Sequence, residues 1–182
     1  MGGKLINDWN QKLEFSLMER QRFDIKLLKN HISGCISIRK TNLPEDRKGV
    51  DYIATLSGGA EIGIDAKARE SGCSRFWKNQ EPELALEMWS VKESKKRGWT
   101  LNDRTQVDYI LFTFSPEDCG KYFFIPYQLL RQAFNKNGRK WLKAFGSKIQ
   151  RSRRGNKLWT SEAVFVPASI VVTSVTEQMC GQ

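Results

Sequence analysis

This sequence has a single histidine and lacks closely paired cysteines and long hydrophobic runs. A single histidine, His31, excludes catalysis or metal binding built on several imidazoles. The four cysteines form no Cys-x-x-Cys pair, which argues against a zinc site and for the free thiols of a cytosolic chain. No apolar run approaches the roughly 20 residues of a membrane helix, and the N-terminus lacks the apolar core of a signal peptide. We therefore expect a cytoplasmic protein that does not associate with membranes.

Acidic residues are absent from one segment, and that segment is strongly basic. The 182 residues carry a net charge of +10, and residues 131–157 hold ten Lys or Arg and no acid. A block of like charge is best tolerated beside a polyanion, most commonly nucleic acid, although a solvated basic loop is the alternative. Phe134, Trp141 and Phe145 recur among the charges, as in a segment that also packs or stacks on bases, which favours nucleic acid. The candidate nucleic-acid-binding residues are Arg139, Lys140, Lys143, Lys148, Arg151, Arg153 and Arg154.

The order of predicted elements indicates a mixed α/β fold in one domain, residues 1–182. Residues from Asp8 to about His31 predict one helix or two, and three apolar segments then predict an antiparallel meander. Glu, Leu, Ala and Met after Pro82 predict a second helix, which would return the chain for parallel pairing. The predicted segments are strands at 35–39, 50–56, 60–68, 106–114 and 121–126 and helices at 82–98 and 127–138. The core would span about 8–130, followed by the basic segment 131–157 and C-terminal strands at 158–176 broken by Pro167.

Charged residues interrupt the hairpin "GVDYIATLSGGAEIGIDAKAR", residues 49–69. Asp65 and Lys67 are two apart on a strand, so they project from the same face, and Gly63 leaves room there. Because the hairpin turns near Gly58 and Gly59, Asp51 at the start of the first strand should lie close to Asp65. An acid-x-lysine pattern occurs four times in the chain, but only here does a second strand supply another acid.

Two carboxylates and an ammonium at one end of a sheet indicate phosphodiester chemistry. Two like charges in contact are costly unless a cation joins them, and Mg²⁺ prefers oxygen ligands and shares phosphates with substrates. Such a metal polarises a phosphate and lowers the pKa of bound water. Lys67 could orient that water or neutralise developing charge. The alternative is that Asp51 and Asp65 form ordinary surface ion pairs with Lys67 or Arg69, which contribute little.

At these residues the chain resembles the PD-(D/E)XK nuclease superfamily, which has the restriction-endonuclease-like fold. "GVDYI" matches the first motif and "IDAKAR" the second. The resemblance implies a mixed sheet with flanking helices in an αβββαβ core, here with a C-terminal basic and strand extension. It implies Mg²⁺- or Mn²⁺-dependent DNA cleavage, with Asp51, Asp65 and the Ala66 carbonyl on the metal and Lys67 at the nucleophile. Small size and a basic tail are most similar to phage and resolvase-like or repair-type members.

Two features of this family differ or stay open in the chain. Val50 stands where the family name has proline, a change that touches no catalytic atom. Many members also carry an acid on the first helix. Asp24 fits by its distance from the Gly34 turn, with Glu19 and Glu14 as alternatives, and each could equally be an ordinary solvated acid.

Three functions remain open from the sequence. The first is a metal-dependent endo- or exonuclease acting on DNA, including branched or single-stranded DNA, with a homodimer possible. The second is a non-catalytic nucleic-acid-binding or counter-defence protein on a nuclease-like fold, whose binding would weaken steeply with salt. The third is a nuclease directed at RNA, which a preference for the 2′-hydroxyl would reveal.

Overall fold

A computed structural model describes residues 6–8 by their backbone, and residues 28–29, 31–42, 44, 48–69, 71–103 and 105–181. The described chain contains β1 (Ile6–Asp8), β2 (Cys35–Lys40), β3 (Tyr52–Leu56), β4 (Glu61–Ala68), β5 (Glu83–Val91), β6 (Lys96–Arg97), β7 (Tyr109–Thr113), β8 (Tyr122–Pro126), α1 (Tyr127–Phe145), β9 (Ser147–Arg154), β10 (Lys157–Pro167) and α2 (Ala168–Cys180). Short 3₁₀ turns cover Cys73–Phe76 and Trp99–Leu101. The α/β class predicted from the sequence is confirmed.

The chain forms two compact units. Unit 1 consists of Met1–Ser16, Phe76–Asp103 and Leu129–Gln182, and unit 2 consists of Leu17–Arg75 and Arg104–Gln128. Each unit contains one five-stranded sheet. None of the described helices is long and apolar enough to cross a membrane.

The sheet of unit 2 has the strand order β2-β3-β4-β7-β8. The pairs β2/β3, β3/β4 and β7/β8 are antiparallel, whereas β4 and β7 are parallel. The predicted meander and the predicted parallel pairing are therefore both present. One face of this sheet packs into an apolar core made of Leu28, Ile32, Tyr52, Ala54, Ile64, Ala66 and Leu111.

The prediction of a second helix in the αβββαβ core is wrong. Residues 83–91 form strand β5, and no helix lies between β4 and β7 among residues 71–103 and 105–108. Leu84, Leu86 and Met88 are buried in alternation, a period of two that pairing with β10 exploits. Glu, Leu, Ala and Met favour helices intrinsically, but tertiary pairing overrides so weak a preference.

The sheet of unit 1 has the strand order β1-β9-β10-β5-β6. Strand β10 lies in the middle and pairs antiparallel with both β9 and β5, while β1 runs parallel to β9. The basic segment is therefore divided between helix α1 and strand β9 and is not a loop. Helix α1 continues beyond the predicted end at Gly138, where an added Cβ would lie 3.1 Å from the Phe134 ring. Gly138 thus serves close packing within the helix.

The predicted C-terminal strands at 158–176 are half right. Residues 157–167 form β10, but the chain after Pro167 is helix α2. Ala168, Val171, Ser174 and Val175 are buried, and this spacing of three and four residues places them on one side of a helix. The β-branched valines favour strands only weakly, so the spacing outweighs their preference.

Candidate active site on the β3–β4 hairpin

The Asp51 carboxylate reaches across to strand β4. Its Oδ2 accepts a hydrogen bond of 2.9 Å from the backbone N–H of Ala66, and its own N–H donates to the Ile64 carbonyl at 2.8 Å. Tyr52 pairs with Ile64, so the start of β3 lies beside the end of β4. The predicted approach of Asp51 to the Asp65–Lys67 segment is therefore present in the structure.

Asp65 and Lys67 form an ion pair on the face of β4 opposite the apolar core. The Lys67 Nζ lies 2.7 Å from each oxygen of the Asp65 carboxylate. Their register partners on β7, Ile110 and Phe112, are buried, so the pair lies beside an apolar surface. Apolar surroundings lower the local dielectric and strengthen electrostatic interactions.

Both aspartates of the hairpin are buried. Asp51 is 6% exposed and Asp65 is 5% exposed. Buried carboxylates persist in proteins when they are hydrogen-bonded, paired or bound to a metal, because an isolated charge is costly to desolvate. The Lys67 side chain is 32% exposed, so part of it is accessible from solvent. The alternative of exposed surface ion pairs does not describe these two acids.

Gly63 has a different role from the one expected. The space beside it is filled: an added Cβ would lie 2.5 Å from the Gln106 carbonyl oxygen and 3.4 Å from Val50. The Gly63 N–H donates to Asp108 Oδ2 at 2.7 Å, and the Asp108 N–H donates back to the Gly63 carbonyl at 2.8 Å. The absence of a side chain at Gly63 therefore lets the chain before β7 pack closely against β4, and it does not leave room for a substrate.

The chain that follows β4 is anchored by Asp118, which the sequence did not single out. Its carboxylate accepts hydrogen bonds from the N–H groups of Gly72 and Ser74 at 3.1 and 2.8 Å and from the Ser115 hydroxyl at 2.9 Å. Burial alone would raise the pKa of Asp118, but the hydrogen bonds, those from Ser74 first, hold it well below its usual range. The contacts with Gly72 and Ser74 join residues 46 and 44 positions apart, so no local pattern could have predicted them.

Cys73 lies beside this anchor as a protonated thiol. Burial, together with the neighbouring Asp118, raises the pKa of Cys73 to about 11. A thiol with so high a pKa is a poor nucleophile and metal ligand near neutral pH. Cys73 is therefore a structural residue and not a second reactive group near β4.

Several candidate residues are placed elsewhere or lie outside the described residues. The predicted helical segment from Asp8 to about His31 lies mostly outside the described residues, and so do its acids Asp24, Glu14 and Glu19. The role of the Ala66 carbonyl as a metal ligand stays a prediction. Among the described residues, no group of three or more His, Cys, Asp or Glu is arranged to hold a metal. Two carboxylates with nearby backbone oxygens are still a sufficient protein contribution for Mg²⁺, which usually keeps several waters and binds through one or two carboxylates.

The predicted nucleic-acid-binding residues form two exposed groups in unit 1. Arg139, Lys140 and Lys143 lie on α1, and Lys148, Arg151, Arg153 and Arg154 lie on β9. The aromatic residues of this segment were expected to pack or to stack on bases, and two of the three pack. Phe134 and Trp141 are buried and pack edge-to-face with their ring centroids 5.9 Å apart. Lys136 and Lys157 are exposed and extend the two groups.

No protein-family model, curated protein or solved structure matches the chain.

Proposed function

We propose that the protein is a Mg²⁺- or Mn²⁺-dependent nuclease of the PD-(D/E)XK type that hydrolyses phosphodiester bonds in DNA. The observation that carries this proposal is the hydrogen bond between the buried Asp51 carboxylate and the N–H of Ala66. Ala66 is the residue between Asp65 and Lys67 in the chain. This places two hard oxygen donors and a cation on one short stretch of sheet. The proposed fold is a restriction-endonuclease-like core in unit 2, in which the chain between β4 and β7 passes through unit 1 in place of the second helix.

Asp51 and Asp65 are the residues that would hold the metal. When bound, Mg²⁺ supplies charge neutralisation at the scissile phosphate and lowers the pKa of a coordinated water. Asp51 is held in place by the Ala66 N–H, which fixes one of its oxygens and leaves the carboxylate well oriented. The strand pairing of β4 with β3 and β7 makes the support of both acids rigid.

Lys67 is the residue proposed to act on the reacting groups. Hydrolysis adds a water oxygen to phosphorus and breaks one P–O ester bond, which leaves a phosphate monoester and a hydroxyl group. An ammonium near that centre orients the water by donating a hydrogen bond to its oxygen and offsets the negative charge that develops on phosphate. The partial exposure of Lys67 is compatible with this role, since part of its side chain is accessible from solvent.

Cleavage assays test this proposal directly. The protein is incubated with supercoiled, linear, single-stranded and branched DNA and with RNA, in Mg²⁺ or Mn²⁺ and in a chelator. Chelator-sensitive cleavage that is lost in Asp65→Asn and in Lys67→Ala, with DNA affinity unchanged, supports it. Glu61→Gln, an exposed acid on the same strand, and Lys48→Ala, an exposed lysine of another acid-x-lysine match, are matched controls that should cut normally. Parental rates in both site variants would disprove the assignment.

A non-catalytic nucleic-acid-binding protein is the second candidate. Two observations favour it: Lys67 already engages both oxygens of Asp65, and the described residues offer no third acidic, histidine or cysteine side chain at the pair. This candidate predicts salt-sensitive binding with no turnover of any substrate in the panel. Cleavage of RNA in preference to DNA would instead support the RNA-directed nuclease.

A further inference from the structure

The β9–β10 hairpin extends beyond the sheet that supports it. Strand β10 pairs with β9 from Lys157 to Val164 but with β5 only from Glu162 to Pro167. On the other side, β1 pairs with β9 only from Arg151 to Arg153. Among the described residues, the hairpin is therefore two-stranded only at its tip, because β1 lies beside Arg151–Arg153 and the Lys92 N–H donates to the Thr160 carbonyl. We call residues 147–161 the ribbon.

The tip of the ribbon is a tight, preorganised turn. Arg154 pairs with Lys157, so the loop has two residues, Gly155 and Asn156. Gly155 has a φ of 57°, as the first central residue of a type II′ turn requires. At the base, Thr160 is held by Glu93, which accepts from its N–H at 2.9 Å and from its hydroxyl at 2.8 Å. A ribbon held in this way loses little conformational entropy on binding.

The positive charges are distributed over both faces of the ribbon. Side chains alternate along a strand, so Arg151 and Arg153 project from one face, while Arg154 and its partner Lys157 project from the other. All four are exposed, and none forms an ion pair with a residue that the structure describes. Charges on both faces of a narrow element match a site with phosphates on both sides.

Exposed apolar residues accompany the charges. Leu158 is 64% exposed and Ile149 is 50% exposed, and both lie on the face of Arg151 and Arg153. An apolar side chain in the major groove can contact the methyl group of thymine. The basic side of α1 differs, because its exposed charges recur three and four residues apart and so lie along one side of a helix. That arrangement suits a single phosphate backbone.

We infer that the ribbon is the main DNA-binding surface of the protein and that its two-stranded tip enters the major groove of duplex DNA. The major groove is about 12 Å wide and admits a two-stranded β-ribbon, with phosphate backbones along both of its walls. The inference rests on the proposed function for the identity of the ligand as DNA, but it does not require cleavage at Asp65. It specifies duplex DNA in B form over single strands and over A-form RNA, whose major groove is too narrow for side chains to read.

Two triple variants with equal charge loss test the inference. Duplex binding is measured in a chelator over a series of salt concentrations. The ribbon variant is Arg151→Gln/Arg153→Gln/Arg154→Gln, and the matched helix variant is Lys136→Gln/Lys140→Gln/Lys143→Gln. Log K falls with log salt, and each lost phosphate contact makes that slope less steep by about 0.9, so three lost contacts reduce it by about 2.7. The same loss weakens binding about 500-fold at 0.1 M salt. The ribbon variant should show this loss, and the helix variant should lose less than about tenfold.

A chemical footprint tests entry into the groove itself. Guanine N7 lies in the major groove and adenine N3 in the minor groove, and dimethyl sulfate modifies both. The bound protein should protect guanine N7 and leave adenine N3 reactive. Leu158→Glu, a single change at an exposed position, should abolish the protection by placing a negative charge in the groove. Circular dichroism and thermal unfolding confirm that each variant is folded.

The outcomes separate this inference from the proposed hydrolysis. The inference is overturned if the helix variant loses as much affinity as the ribbon variant, if N7 stays reactive, or if duplex RNA or single-stranded DNA binds as tightly as duplex DNA. Absence of cleavage with the expected ribbon results would disprove the hydrolysis alone. Metal-dependent cleavage by a ribbon variant that binds duplex DNA like the parent would disprove the ribbon alone.

Discussion

Asp51 has a structural and a proposed catalytic role, and two substitutions separate them. The asparagine variant keeps an oxygen that can accept the Ala66 N–H, but it removes the charge that a metal needs. The alanine variant removes both. Because the hydrogen bond is 2.9 Å long and Asp51 is 6% exposed, Asp51→Ala leaves a buried N–H without its acceptor. An unsatisfied buried donor costs about 1–3 kcal/mol, which is the loss of unfolding free energy we expect for alanine and not for asparagine.

Urea denaturation followed by circular dichroism measures the stability of both variants, and the DNA cleavage assay in Mg²⁺ measures their activity. Asp51→Asn should retain most of the parental unfolding free energy while losing cleavage, and Asp51→Ala should lose both. Equal stability of Asp51→Ala and the parent would refute the proposed support of Asp51 by Ala66. Full cleavage by Asp51→Asn would remove Asp51 from the site whatever the stability result.

Three further predictions concern the surroundings of the site. Gly63→Ala should lower the unfolding free energy by about 1–3 kcal/mol through overpacking against a carbonyl 2.5 Å from the new Cβ; Gly58→Ala, where nothing lies within 4 Å, is the control and should change little. Cys73, with its pKa raised to about 11, should react far more slowly with iodoacetamide at pH 8 than the exposed Cys180; equal rates measured by mass spectrometry would contradict the burial. Asp118 has a lowered pKa in the folded protein, so its stabilisation is present above its unfolded pKa and is lost as pH falls through the folded value. Asp118→Asn should therefore make acid unfolding less pH-dependent, and an unchanged pH profile would speak against the anchor.

The hairpin could be predicted from the sequence because its information is local. Alternation of apolar residues defined β3 and β4, the Gly58–Gly59 turn set which ends meet, and the structure brings Asp51 to Ala66 as those two features require. The strand β5 was missed for the opposite reason. Its partner β10 is distant in the chain, and the segment "ELALEMWSV" consists largely of helix-forming residues. Only the alternation of Leu84, Leu86 and Met88 indicates a strand.

The charge of the basic segment, residues 131–157, did not predict its secondary structure or the burial of its aromatic residues. Its charge and its exposure were predictable, whereas its division into helix and strand was not, since Lys and Arg are compatible with both. The sequence left open whether Trp141 and Phe134 pack or stack on bases, because aromatic residues among charges look the same in a sequence whether they face solvent or a core. Only their spacing indicated packing, because residues seven apart, such as Phe134 and Trp141, lie on the same side of a helix.

The position of β10 in the middle of its sheet determines the order in which the chain can fold during synthesis. All five strands of unit 2 are available once Pro126 has left the ribosome, so that sheet can close early. Strands β5 and β6 are made before it closes but must wait for β10, because Ala85 pairs with Phe165 and no described strand synthesised earlier takes that edge. During that interval the alternating apolar edge of β5 is unpaired, and exposed strand edges of this kind promote aggregation. A chain terminated before β10 would retain that open edge permanently, so truncation of the last 30 or so residues should yield insoluble protein even though the sheet carrying Asp51 and Asp65 is complete.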